Sequence, residues 1–133
     1  MKDFDFILSD EQYSKLQNEY NSSLKSTTEF CVRHLNSIIS TLQINGFKMP
    51  ITFQNKILTQ LIESQQILNI IFIDTYTTPL NLNNNPLKLL YELALLSSNL
   101  NSYSIKSPYQ ILFLKTNALI IDCIMQILKQ FSN

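Results

Sequence analysis

The chain has 133 residues, ten basic and ten acidic side chains, and a formal net charge of zero. That length predicts a single domain over residues 1–133, and a 45% hydrophobic content excludes global disorder. A protein that grips nucleic acid through its phosphates carries a basic excess, so nucleic acid is not expected as the main partner.

Glycine occurs once, at Gly46. Phosphate-cradling loops, primed hairpins and nucleophile elbows all need φ > 0 or close backbone approach, so most nucleotide-binding enzymes are excluded. Asn, Ser, Gln and Thr make up about a third of the chain, and only 15% is charged. Such neutral polar faces and a zero net charge favour association. The two cysteines, Cys31 and Cys123, lie far apart and form no CxxC pair. The opening Met1-Lys2-Asp3-Phe4-Asp5-Phe6 places acids where a secretory signal needs a basic start. Free thiols in a reducing cytoplasm are expected. The most apolar stretch, Ile111 to Leu128, is interrupted by Lys115, Asn117, Asp122 and Gln126, so no membrane span is expected.

The first helix is expected from Ser9. Ser9-Asp10-Glu11-Gln12 is a capping box, in which the hydroxyl accepts from the third helical amide and Gln12 reaches back. Leu8 can staple against Tyr13. Tyr13, Leu16, Tyr20, Leu24, Thr27, Cys31, Leu35, Ile38 and Leu42 follow at steps of three and four, one face of a helix. Asn45-Gly46 supplies a left-handed stop. The second helix should start after Pro50, with Thr52 as cap, and run to about Thr75. Its segment Ile67–Ile73 is apolar nearly all round and should be buried on several sides.

Thr77-Thr78-Pro79 ends that helix, and a connection containing Asn83-Asn84-Asn85 follows. Asn85 caps a third helix with Pro86 in its first turn. Leu87, Leu90, Leu93, Leu96 and Leu100 form its stripe, and residues 98–107, rich in Ser and Asn, read as a loop. Ser107-Pro108-Tyr109-Gln110 is a second capping box. The last helix should run from Pro108 to about Phe131. Leu114, Ala118, Ile121, Met125 and Leu128 share one face, and Ile120, Ile124 and Ile127 a neighbouring one. The fold class predicted is all-α: an antiparallel bundle of four to five helices with a long first helix.

No catalytic constellation emerges, and the chain is not expected to be an enzyme or to need a cofactor. Cys31 and His34 stand at i and i+3, and with Cys123 could share a metal, but no second ligand pair has zinc-like spacing. The more economical reading is two buried thiols and a helix histidine. A Cys31–His34 nucleophile pair in a helix interior would lack oxyanion donors, because helical amides are already bonded. Arg33 and Asp122 are candidate buried polar residues, since Asp122 interrupts a run of apolar side chains and a buried carboxylate must be paired or protonated; the favoured alternative sets Asp122 on a narrow exposed side with Lys115, Lys129 and Gln126 near its edge.

The dominant signal is apolar surface in excess of one bundle core. Bundle helices offer about three apolar positions per heptad, and segments 67–73 and 119–128 exceed that. Excess apolar surface marks contact with another polypeptide. The expected function is a non-enzymatic helical interaction module, such as a regulator, inhibitor, immunity or antitoxin-like protein or assembly subunit. Its partner is another protein or a second copy, with a homodimer favoured. Tyr13, Tyr20, Ile70, Phe72, Ile120 and Ile124 are the candidate anchors. The alternative is a bundle holding an apolar small molecule or a metal ion in its interior.

Overall fold

The structure is a computed structural model that describes residues 9–75, 77–104 and 109–132. Among the described residues it is all-α, with α1 (Asp10–Asn45), α2 (Ile51–Ile71), α3 (Pro86–Ser104) and α4 (Gln110–Phe131).

The capping box at Ser9 is formed. The Ser9 hydroxyl accepts from the Gln12 amide at 3.1 Å, and the Gln12 carboxamide accepts from the Ser9 amide at 3.0 Å. Leu8 lies outside the described residues, and the side chain of Tyr13 lies outside them too, so the staple is not seen. α1 stops at Gly46, whose amide bonds back to the Leu42 carbonyl at 2.9 Å. Its φ of 64° fits the expected stop, but ψ is −157°, outside the left-handed helical well and in a region that only glycine enters cheaply. A Cβ at this position would stand 2.6 Å from the Gln54 carboxamide oxygen. That carboxamide clamps the turn: it donates to the carbonyls of Phe47 and Met49, each at 2.6 Å, and accepts from the Phe47 amide at 3.3 Å.

α2 begins directly after Pro50, which holds the cap position without a side-chain bond, so Thr52 is not the cap. It ends at Ile71, four residues before the expected Thr75. Phe72 turns extended, at φ −152° and ψ 125°. The cause is long-range. The outgoing segment is tied along α1: Asn36 donates its amide to the Asp74 carbonyl at 2.6 Å, the Ser37 hydroxyl accepts from the Thr78 amide at 3.2 Å, and the Thr41 hydroxyl accepts from the Leu80 amide at 3.1 Å. Asn36, Ser37 and Thr41 are buried, and these bonds satisfy them, as buried polar groups require. The segment Ile67–Ile73 is therefore not buried on several sides. Leu68 is fully buried, while Ile70 and Ile73 are 73% and 74% exposed.

Asn83 and Asn84 both take positive φ and reverse the chain. Asn85 then caps α3 as expected, accepting from the Leu87 amide at 3.0 Å with Pro86 as the first helical residue. α3 runs through Ser104, so most of the expected loop at 98–107 is helix. Leu100 and Ser104 face the core there and outweigh the weak helix propensity of their Ser and Asn neighbours. Ser107 and Pro108, half of the second capping box, lie outside the described residues. The cap residue of α4 is Tyr109, whose own side chain does not cap the helix.

α3 packs on α4, α4 on α2, α2 on α1 and α1 on α3. The helices thus close a four-membered ring, with α1 diagonal to α4. The core inside it is built from Leu35 and Ile38 of α1, Ile57, Leu61 and Leu68 of α2, Leu89, Leu93, Leu96 and Leu100 of α3, and Phe113, Ile120 and Ile127 of α4, all fully buried. Full burial of such a side chain stabilises by about 1.5–3 kcal/mol. Buried hydroxyls in the ring are satisfied locally: Ser64 donates to the Gln60 carbonyl and Thr116 to that of Leu112.

Candidate functional site

α4 is apolar on two sides. Its inward side presents Phe113, Ile120, Cys123 and Ile127 to the core. Its outward side presents Ile111, Leu114, Ala118, Ile121, Met125 and Leu128, all exposed, the five large ones by 44–69%. These six stand at steps of three, four, three, four and three, the period of a seam that packs against another helix. Charges border the stripe on one side. Asp122 accepts from the carboxamides of Gln60 on α2 and Gln126, at 2.8 and 2.6 Å, both on Oδ2. These bonds, first that from Gln60 and then that from Gln126, hold its carboxyl below the ordinary value; desolvation opposes them, and the Lys56 charge adds the least to the pull. Gln60 also donates to the Leu119 carbonyl at 2.9 Å, which fixes the α2 edge of the stripe. On the α3 side, Ser97 donates to the Asn117 side chain at 2.6 Å.

A second place gathers charged groups. A cleft of about 440 Å³ between α1 and α3 is lined by residues that include Phe30, Arg33, His34, Leu80, Glu92 and Leu95. His34 Nε2 pairs with the Glu92 carboxylate at 2.6 Å, and its side chain is only 9% exposed. The buried Nδ1 atom of His34 has no hydrogen-bond partner among the described residues. Arg33 pairs with Asp74, and more loosely with Glu29 at 3.9 Å.

The residues singled out in the sequence are thereby placed. Ile70 is exposed on α2, and Phe72 is half-buried against the core. Ile120 is fully buried and Ile124 packs partly against the core. Ile120 is therefore not a surface anchor: it shares the inward face of α4 with Phe113 and Ile127, and the outward neighbour in sequence is Ile121. The side chains of Tyr13 and Tyr20 lie outside the described residues. Neither Arg33 nor Asp122 is a buried polar group. The Arg33 side chain is half exposed and pairs with Asp74 rather than Asp122, and Asp122 stands at the surface beside two carboxamides. Cys31 and Cys123 are free and buried. Burial pushes both thiols up to about 12, with the Asp122 charge adding to the effect on Cys123. Such thiols are protonated and unreactive at neutral pH. His34 faces Glu92, and no group of three metal-ligating side chains gathers among the described residues.

Sequence reasoning missed the His34–Glu92 and Arg33–Asp74 pairs, which join residues 58 and 41 positions apart. It also placed the contact anchors Ile120 and Ile124 on the wrong side of α4, whose exposed stripe runs from Ile111 to Leu128. Phe113 carried a usable signal, because it falls on the wheel with Ile120 and Ile127 and is the largest of the three.

No family model, no curated protein and no solved structure matches this chain. By length and composition α4 is a helix able to cross a membrane, and a third of that stretch is buried inside the fold. The core helix of a soluble bundle satisfies the same criterion.

Proposed function

We propose that the chain is an antiparallel bundle of four to five helices with a long first helix, and that it works as a non-enzymatic interaction module through the outward face of α4. Two observations favour the bundle: the closed ring of helix contacts and the short, clamped turn between α1 and α2. One observation carries the functional reading. Six residues of a single helix form an exposed apolar seam at coiled-coil spacing, while the opposite side of the same helix already supplies the core. A second stripe adds nothing to the isolated fold, and a contiguous apolar surface of this kind is what a polypeptide partner covers. The partner is another protein or a second copy.

Oxidative footprinting tests this. Met125 is 59% exposed in the seam, and Met49, packed against the core, serves as the internal reference. Met125 is expected to be slow to form its sulfoxide in concentrated protein, in a soluble extract of the source cells, or in both. Oxidation of Met125 at the rate of an open side chain under both conditions overturns the reading.

A second reading rests on the α1–α3 cleft, where the unpartnered Nδ1 of His34 and the adjacent Arg33 line a space of small-molecule size. This is a surface groove rather than a bundle interior. Native mass spectrometry distinguishes it, because a retained small molecule lost on His34→Ala supports the cleft and a bare mass counts against it.

A further inference from the structure

We infer that the outward face of α4 pairs with the same face of a second copy of this chain, the two helices lying antiparallel about a two-fold axis. This rests on the reading of α4 as the contact face and goes further, fixing occupant, direction and register.

The spacing comes first. A helix has 3.6 residues per turn, so a stripe with period 3.5 stays in line only with another helix that wraps it. In heptad terms Ile111, Ala118 and Met125 hold one core position, and Leu114, Ile121 and Leu128 the other. An antiparallel pair centred between Ala118 and Ile121 sets Ile111 opposite Leu128 of the second copy, Leu114 opposite Met125 and Ala118 opposite Ile121. All six positions are used, and the small Ala118 meets a large side chain. A parallel pair sets Ala118 against Ala118 and leaves a gap in the middle of the seam, which close packing disfavours.

Charge gives the same direction. The residues immediately after the second core position are Lys115, Asp122 and Lys129. In a two-fold antiparallel pair these positions face their own kind across the interface, so Lys115 of each copy stands opposite Asp122 of the other and two opposite-charge pairs form. In a parallel pair the same positions face Gln110, Asn117 and Ile124, none of them charged. Both groups are available: Lys115 makes no ion pair among the described residues, and the bonds to Asp122 both fall on Oδ2, leaving Oδ1 open. A lipid bilayer fits less well. It would place Lys115 and Asp122 on the edge of the buried face, where charged side chains are costly.

The test combines sedimentation equilibrium with charge reversal and cross-linking on the full chain. The protein should dimerise in the micromolar range. Lys115→Asp and Asp122→Lys each set like charges opposite one another twice and should weaken the dimer by about tenfold, and the double reversal should recover most of that loss. Under mild oxidation an Ala118→Cys variant mixed with an Ile121→Cys variant should cross-link, and each alone should not, while buried Cys31 and Cys123 stay silent. A dimer indifferent to charge reversal, or one in which Ala118→Cys cross-links with itself, overturns the antiparallel register. A monomer at up to about 100 µM also overturns the inference, as does partition onto phosphatidylcholine vesicles in place of dimerisation. Protection of Met125 in cell extract alone, with the purified protein monomeric, would leave the interaction reading standing and remove only the second copy.

Discussion

The flank of α1 and the flank of α4 resolve their misplaced residues in opposite ways. On α1, the polar Asn36, Ser37 and Thr41 sit where a helix packs inward, and the chain supplies their partners itself from the backbone of Asp74, Thr78 and Leu80. On α4, apolar side chains from Ile111 to Leu128 sit where a helix faces water, and no segment among the described residues covers them. The difference follows from the energetics of each mismatch. A buried polar group without a partner costs about 1–3 kcal/mol, so a fold must settle that locally or lose much of its stability. An exposed apolar group carries no comparable penalty in the monomer. It leaves about 25 cal/mol per Å² of apolar area unclaimed, available to whatever docks there.

The largest expected effect separates the two sides of α4. Ile120→Ala removes a fully buried side chain and should cost about 2–5 kcal/mol. Ile121→Ala, one residue along and 44% exposed, should change the stability of the monomer by no more than about 0.5 kcal/mol. Urea unfolding at concentrations below the association range measures both. Equal losses would mean that the outward face is packed within one chain, and the contrast between the flanks would collapse.

Asn36→Ala probes the other flank. The Asn36 carboxamide donates to the Asp74 carbonyl and accepts from Gln65, joining α1, α2 and the extended segment at one point. Its loss should cost about 1–3 kcal/mol, since two partly buried groups lose their partner. Amide hydrogen exchange at Thr78 and Leu80 should speed up more than exchange within α3. Uniform acceleration would indicate a global loss rather than release of the strap.

What could be read from the sequence divides along the same line. The caps at Ser9 and Asn85 are local devices: the groups that bond lie within three residues of one another, so the motif alone locates them. The end of α2 is not local. Phe72 turns extended because side chains some forty residues earlier bond the segment beyond it, and no window around residue 72 contains that information. The tail of α3 was obscured for a related reason, since Ser97, Ser98, Asn99, Asn101 and Ser102 resemble a loop while Leu100 and Ser104 hold the turn inward. For the site, periodicity exposed two apolar stripes on α4 but does not orient them, and the expected anchors Ile120 and Ile124 fall on the side that packs inward. Orientation depends on which stripe meets α2 and α3, and that placed Ile120 inside and Ile121 outside. Asp122 turns on the same point: an apolar run in sequence admits either a buried or an exposed carboxylate, and the packing of α4 on α2 sets it at the surface, the favoured alternative.

The smallest effect concerns Asp122, at the border of the seam. Hydrogen bonds from Gln60 and then Gln126 lower its pKa in the folded chain. A carboxyl with a depressed folded pKa contributes stability that is present above its unfolded pKa, about 3.9, and is lost as pH falls through the folded value. The side chain is exposed, so the contribution is small and confined to acid pH, with stability flat across the neutral range. Carbon-detected NMR titration of the Asp122 carboxyl should show a midpoint below that of an ordinary aspartate, and Gln60→Leu should move it upward. An unmoved midpoint in Gln60→Leu would shift the cause to Gln126, with Lys56 behind it, and remove Gln60 as the residue that holds this edge. The same titration bears on the seam. If Lys115 of a second copy lies opposite Asp122, raising the protein concentration into the dimer range lowers the midpoint further, and Lys115→Asp abolishes that dependence.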